Sequence, residues 1–187
     1  MSDDISEQKK QIRKDIQQLK SFHSREEIKI KSDIIFTRIE ALDVFINSGP
    51  TLIFWSLDHE VQTHDFIIKW YKVKKMILPV IRGNELELKL FTGKENLSTG
   101  AGFGIQEPLG ETYQYYDEIK LAIIPGVAFD LNKNRLGWGK AYYDRLLPQL
   151  KVFKIGICFD FQLLDETPVT ETDVKMDMIV WNNGIIR

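Results

Sequence analysis

Apolar positions along the chain change their period repeatedly, and each change marks an element. Ile5, Ile12, Ile16 and Leu19 recur at helical spacing among charged residues from about Ser6 to Lys20, which predicts an amphipathic helix with one narrow apolar stripe. Ser24-Arg25-Glu26-Glu27 has the form of a capping box, and Ile28, Ile35, Ile39, Leu42 and Phe45 continue as a second helix closed by Asn47-Ser48-Gly49-Pro50. The β-branched and aromatic run Thr51 to Ser56 predicts a short buried strand, and Thr63 is set to cap the helix HDFIIKWYKV. Met76 to Val80 reads as another strand. After the Arg82-Gly83-Asn84 turn, Glu85 to Leu90 alternates strictly, as a half-exposed strand of an edge hairpin should. The stretch LSTGAGFGIQEPLGE has few periodic apolar positions and reads as a long loop. Leu121-Ala122-Ile123-Ile124 is long enough for a buried strand and too short for a helix; it leads into a loop from Pro125 and a helix over about Ala141 to Leu150. Strands over Val152 to Phe159 and Met176 to Trp181 complete the pattern.

Strands alternating with helices predict an α/β fold: a single three-layer αβα domain over residues 1–187, with a mostly parallel sheet and one antiparallel edge hairpin. A chain of 187 residues is the size of one domain and buries about 70% of its unfolded surface. With 43% hydrophobic and 28% charged residues it has the balance of a globular protein rather than a disordered one. The 25 basic and 27 acidic side chains leave a net charge of -2, so no global field draws the protein to nucleic acid or to an anionic membrane, and any basic site must be local. No apolar run approaches the roughly 20 residues of a transmembrane helix, and the polar start MSDDISEQKK lacks the apolar core of a signal peptide, so the expected location is cytoplasmic. The single cysteine, Cys158, lies inside the apolar run IGICF and reads as a buried strand residue rather than a nucleophile.

The densest candidate chemistry lies from Pro125 to Leu147, PGVAFDLNKNRLGWGKAYYDRLL. Gly126, Gly137 and Gly139 free the backbone there, while Arg135 and Lys140 bring fixed positive charge. Amide N-H groups at the start of the following helix would point at a bound anion, which suits phosphate. An ordinary glycine-rich turn beside a cation is the other reading of this spacing. Two known phosphate motifs are excluded: Lys140 is followed by Ala141 rather than Ser or Thr, and Tyr142 stands where a dinucleotide fingerprint needs its third glycine. Elsewhere, His59 and His64 bracket Glu60 with one residue too many for the zinc spacing HExxH.

PGVAFD followed by NRLGWGKAYYDRLL resembles the signature of the 5-formyltetrahydrofolate cyclo-ligase family, also called 5,10-methenyltetrahydrofolate synthetase. Weaker resemblances at both ends of the chain extend the similarity to nearly its whole length. Ala141 departs from the family, which usually has glycine there. The resemblance implies ATP-dependent cyclisation of 5-formyltetrahydrofolate to 5,10-methenyltetrahydrofolate with release of ADP and phosphate.

It also implies roles for particular residues. Lys9 and Arg13, four apart on one helical face, match a Lys-x-x-x-Arg that helps to hold ATP; a solvated basic face is the other reading, with Lys10 a neighbouring candidate. ATP would further contact Arg135, Gly137, Trp138, Gly139, Lys140, Ala141, Tyr142, Tyr143 and Asp144, with Arg135 and Lys140 as the catalytic cations. Folate would meet Trp55, Ser56, Glu60, Trp138 and Tyr142, Glu60 pairing with the donor-rich pterin ring, although a solvated loop carboxylate reads equally well there. A similar Gly-x-x-Glu-Pro makes Phe103, Ile105, Gln106 and Glu107 candidate folate contacts, against a plain surface loop. Asp-x-Lys-x-Asp is preserved from Asp173 to Asp177, and Asp177 with Asp144 would hold Mg2+. The expected partners are 5-formyltetrahydrofolate and ATP, with no nucleic acid and no membrane, and the expected state is a monomer.

Two readings of other classes stand beside this one. A sugar-phosphate isomerase could use the glycine-rich loop without ATP. A non-catalytic binding module, for RNA for instance, would be expected to lose Asp144 or Arg135 and to gain a basic surface, and neither change is present.

Overall fold

The computed structural model describes residues 2–100, 104 and 106–187. Three helices come first: α1 (Ser2–Lys20), α2 (Arg25–Glu40) and the short α3 (Asp43–Ile46). The capping box at the start of α2 is present, with the Ser24 hydroxyl accepting from the Glu27 amide and the Glu27 carboxylate accepting from the Ser24 amide. The apolar periodicity predicted one helix from Ile28 through Phe45. The chain instead stops at Glu40 and restarts at Asp43, so that Leu42 and Phe45 reach the same core from a new axis.

Next come β1 (Thr51–Ile53), α4 (His64–Trp70), β2 (Met76–Arg82) and β3 (Glu85–Leu90). Thr63 precedes α4 without capping it; its hydroxyl donates to the Phe54 carbonyl and accepts from the Ser56 amide, tying the helix entrance to the end of β1. The expected long loop contains a small antiparallel hairpin, β4 (Leu97–Thr99) with β5 (Gln106–Pro108). Then follow β6 (Leu121–Ile124), β7 (Ala128–Asp130), β8 (Arg135–Leu136), α5 (Tyr142–Leu146), β9 (Phe153–Cys158), β10 (Leu163–Leu164), β11 (Met178–Trp181) and β12 (Gly184–Ile186).

The main sheet has seven strands in the order β12-β11-β9-β6-β1-β2-β3. Its five inner strands are parallel, as their continuous burial demands, for β6 is buried at every position. The predicted hairpin β2–β3 forms one edge, and a second antiparallel hairpin, β11–β12, forms the other. Side chains alternate across the sheet. Leu121, Ile123, Ile155 and Ile157 face α2, α3 and α4, while Ala122, Ile124, Cys158 and Ile179 face α5 and Phe129. These are the three layers. A smaller sheet, β10-β7-β8, carries α1 through Ile16, which is 2% exposed against Val127, Ala128 and Leu136. No helix is long and apolar enough to cross a membrane among the described residues.

Candidate functional site

β1 is followed in the chain by β2 on one side of it and later by β6 on the other, so the strand order reverses between β1 and β6. Connections there diverge and leave a crevice beyond the carboxyl ends of the strands. A cavity of about 450 Å³ occupies this place. Phe54 and Trp55 enter it directly after β1, Pro125 directly after β6, and Pro79, Ile81 and Leu86 from the hairpin β2–β3. Its far wall is Trp138, Lys140, Tyr142 and Tyr143, and Leu57 and Glu60 complete it. The lining is largely apolar and aromatic with few polar groups, the composition expected of a small-molecule site.

Trp55 is fixed by stacking on His64 (ring centroids 4.1 Å apart) and on Phe91 (5.5 Å). His64 in turn bonds the Ser56 carbonyl at 3.0 Å, and burial lowers its pKa. The half-buried Glu60 accepts from the Leu57 amide at 2.9 Å. Desolvation pushes its carboxyl above the ordinary range, against the opposing pull of that amide, of the Lys20 ammonium and of the Trp138 indole N-H. Burial likewise pushes the Tyr143 phenol up, and the charge of Glu60 adds to this.

Beside the cavity the glycine-rich loop folds around Arg135, which is buried in β8. Its Nη2 donates to both carboxylate oxygens of Asp144, at 2.7 and 2.8 Å, and its Nη1 reaches the Pro125 carbonyl at 3.5 Å. A Cβ on Gly137 would stand 2.8 Å from that Nη1, so a larger residue at 137 would displace the guanidinium from this position. From α1, Arg13 Nε donates to the Gly137 carbonyl at 2.9 Å, and Lys9 pairs with Asp173. Lys9, Arg13, Arg135 and Lys140 thus reach one neighbourhood from two separate stretches of chain.

The loop ends on Ala141, whose φ of 53° is left-handed, before α5 begins. This is the position at which the resembled family usually has glycine. The predicted ten-residue helix from Ala141 to Leu150 is five residues long and passes into a 3-10 turn at Leu147–Gln149, where Pro148 cannot continue the ladder. So short a helix contributes little dipole, and the positive character of the loop rests on its side chains. Tyr142 and Arg145 anchor it to the turn of hairpin β2–β3 through the carbonyls of Gly83 and Asn84.

Several expected residues lie elsewhere. Ser56 is buried and spent on Thr63, its hydroxyl accepting from the Thr63 amide. Glu107 turns to Arg82 Nη1 at 3.1 Å, and Gln106 bonds the Thr99 hydroxyl; neither lines the cavity. Phe103 and Ile105 lie outside the described residues. Asp177 lies next to a strand end, but the amino end of β11. Its Oδ2 accepts from the Lys154 amide and pairs with Lys154 Nζ, both at 2.7 Å, level with the start of β9. Asp144 faces Arg135 near the carboxyl end of β6. Each carboxylate has a cation in this arrangement, and Asp144 Oδ1 also accepts at 3.3 Å from the amide of Val174, three residues before Asp177. No three His, Cys, Asp or Glu side chains gather as a metal site among the described residues.

Residues not anticipated from the sequence are Phe54, Leu57, Pro79, Ile81, Leu86 and Pro125 in the cavity wall, and Lys20 behind it. For Ile81 and Leu86 the signal was present in the strict alternation of the hairpin, which puts one apolar row on the face turned to the glycine-rich loop.

Comparison with known proteins points to one group. A family model described as the 5-formyltetrahydrofolate cyclo-ligase family matches residues 5–182. A probable 5-formyltetrahydrofolate cyclo-ligase of Schizosaccharomyces pombe is 33% identical over 147 residues, covering 68% of this chain and 72% of that protein. The mouse 5-formyltetrahydrofolate cyclo-ligase is 26% identical, covering 96% of each. Among solved structures, the 5,10-methenyltetrahydrofolate synthetase of Aquifex aeolicus superposes with a TM-score of 0.86 at 33% identity, over 96% of this chain and 92% of that one.

Proposed function

Because this chain belongs to the 5-formyltetrahydrofolate cyclo-ligase family, we propose that it cyclises 5-formyltetrahydrofolate to 5,10-methenyltetrahydrofolate, converting ATP to ADP and phosphate. The observation that carries this reading is the adjacency of two unlike sites: an aromatic cavity holding one carboxylate, and a loop of cations sharing Trp138, Lys140 and Tyr142 with it. The pterin enters the cavity between Trp55 and Trp138. Glu60 pairs with its amino and ring N-H donors, which a carboxylate accepts through two oxygens. The triphosphate of Mg-ATP lies along the loop, held by Lys9, Arg13, Arg135 and Lys140. Magnesium arrives as part of that substrate, and no protein ligand is assigned to it.

The formyl group is amide-like: a poor electrophile whose oxygen is a poor leaving group. Its oxygen attacks the γ-phosphorus, the bond to the β,γ-bridging oxygen breaks, and ADP departs. N10 then attacks the activated carbon and loses its proton, and the carbon–oxygen bond breaks to release phosphate and leave the methenyl cation. The protein contributes positioning and charge neutralisation, the two demands of in-line phosphoryl transfer. Lys140, on both the cavity wall and the loop, is best placed to neutralise the negative charge that builds first on the β,γ-bridging oxygen and then on the departing phosphate.

For Lys9 and Arg135, which start paired to Asp173 and Asp144, the triphosphate exchanges one anion for another. A cytoplasmic monomer remains the expectation. Purified protein given 5-formyltetrahydrofolate and Mg-ATP should develop the near-ultraviolet absorbance of the conjugated methenyl product, and none without ATP. Absence of that signal with both substrates rejects the reading.

A further inference from the structure

Lys20, the last residue of α1, is only 6% exposed, and its ammonium has no hydrogen-bond partner among the described residues. A buried ammonium without partners is a heavy cost to folding, since water is lost and nothing replaces it. A long lysine usually avoids this by carrying its charge out to solvent along its stem, and Lys20 does not. Two things compensate it. Its Nζ lies 5.2 Å from the ring centroid of Trp138, a cation–π distance, and it feels the carboxylate of Glu60. Both of those residues line the aromatic cavity, whereas Lys20 itself does not.

We propose that Lys20 is a positioning residue for the folate pocket: from behind Trp138 it holds the indole that walls the cavity, and it supplies the counter-charge that keeps Glu60 an ionised acceptor facing the pterin. This inference rests on the function proposed above and extends it to a residue in the second layer of the site. The arrangement makes sense of the cost. An apolar side chain of equal length would suit the fold better, but would leave Glu60 to desolvation alone. The other groups acting on Glu60 are the Leu57 amide on its own segment, the Trp138 indole N-H from the loop and the Tyr143 phenol from α5, while Lys140 lines the same cavity. Lys20 brings charge to it from α1.

The test is the binding of 5-formyltetrahydrofolate to the full chain without ATP, followed by tryptophan fluorescence across pH, for Lys20→Met and Lys20→Arg. Lys20→Met should weaken folate binding by about tenfold or more and move the pH at which binding is lost upward, since Glu60 then protonates more readily. Its melting temperature should equal or exceed that of the parent, and Mg-ATP affinity should stay within about twofold, the scatter expected of an uncoupled site. Lys20→Arg keeps the charge and stacks on indole, so it should restore the pH dependence. In a Glu60→Gln background Lys20→Met should weaken binding far less. Unchanged folate affinity in Lys20→Met, an equal loss in both backgrounds, or a Lys20→Met protein that fails to fold would each overturn the inference while leaving the proposed function standing. An unmodified protein that binds no folate would instead overturn the function itself, and this inference with it.

Discussion

Arg135 and Asp144 form a largely buried pair in which one guanidinium nitrogen donates to both carboxylate oxygens, at 2.7 and 2.8 Å, while Arg135 Nε has no hydrogen-bond partner among the described residues. The pair is held but incompletely satisfied, and under the proposed function a phosphate would complete it. Asp144→Asn leaves the guanidinium with one weak acceptor in a dry site and should lower stability by about 3 kcal/mol. Denaturant unfolding measures this. In the same variant turnover should fall more than folate affinity, because the pair belongs to the nucleotide side of the site; an equal loss of folate binding would refute that assignment.

Ala141 occupies the left-handed region, which a side chain enters at a cost of roughly 1–2 kcal/mol. Ala141→Gly should therefore stabilise the protein by up to about 1 kcal/mol, after the greater freedom of glycine in the unfolded chain is set against the relief. A thermal melt reads this directly, and a lowered melting point would show that the loop does not keep this conformation in solution.

Glu60 is expected to dominate folate recognition. Glu60→Gln should reduce folate affinity by about 10- to 100-fold, the effect of losing a charged acceptor, with nucleotide binding intact. The raised carboxyl pKa adds a sign: the folded state resists ionisation more than the unfolded state does, so Glu60 lowers stability once pH has risen through the ordinary carboxylate range. Glu60→Gln should thus melt higher than the parent at pH 8 and no higher at pH 4.

Asp130 behaves in the opposite sense. It is fully buried, and burial alone would raise its pKa, yet bonds from Asn134 and Thr167 together hold it below the usual value. Its contribution is present above the unfolded value of about 3.9 and is lost as pH falls through the lower folded one. Stability of the parent should drop through this acid range, and Asp130→Asn should flatten that part of the curve.

Cys158 is buried in β9 and its thiol is pushed up by burial. A thiol reagent should leave the native protein unmodified and label one cysteine after unfolding.

Local signals in the sequence carried much of this fold. Leu121–Ile124 is a strand because an all-apolar run of four can only be buried on both faces, and the Ser24–Glu27 box starts α2 because both reciprocal bonds are encoded within four residues. The break between α2 and α3 was not legible, since Leu42 and Phe45 keep the helical spacing across it. For Asp177 the adjoining apolar run showed a strand end. Which end it was depends on the direction of β11 in the sheet, and that is a matter of topology. Lys20 closes a polar helix and looks like a solvated terminus; the indole of Trp138 that its ammonium meets comes from more than a hundred residues later. Of the candidate folate contacts, Trp55, Glu60, Trp138 and Tyr142 meet at one cavity, while Ser56 and Glu107 are claimed by Thr63 and Arg82.

The docking of α1 has a consequence for biosynthesis. Lys9 and Asp173 are 164 residues apart, and Arg13 and Gly137 are 124 apart. During synthesis α1 must therefore wait, with only a narrow apolar stripe to shelter, until residues 137 and 173 have been translated. Assembly of the proposed nucleotide cradle then comes late in maturation, and a nascent chain truncated before residue 173 can bury much of its sheet without completing it.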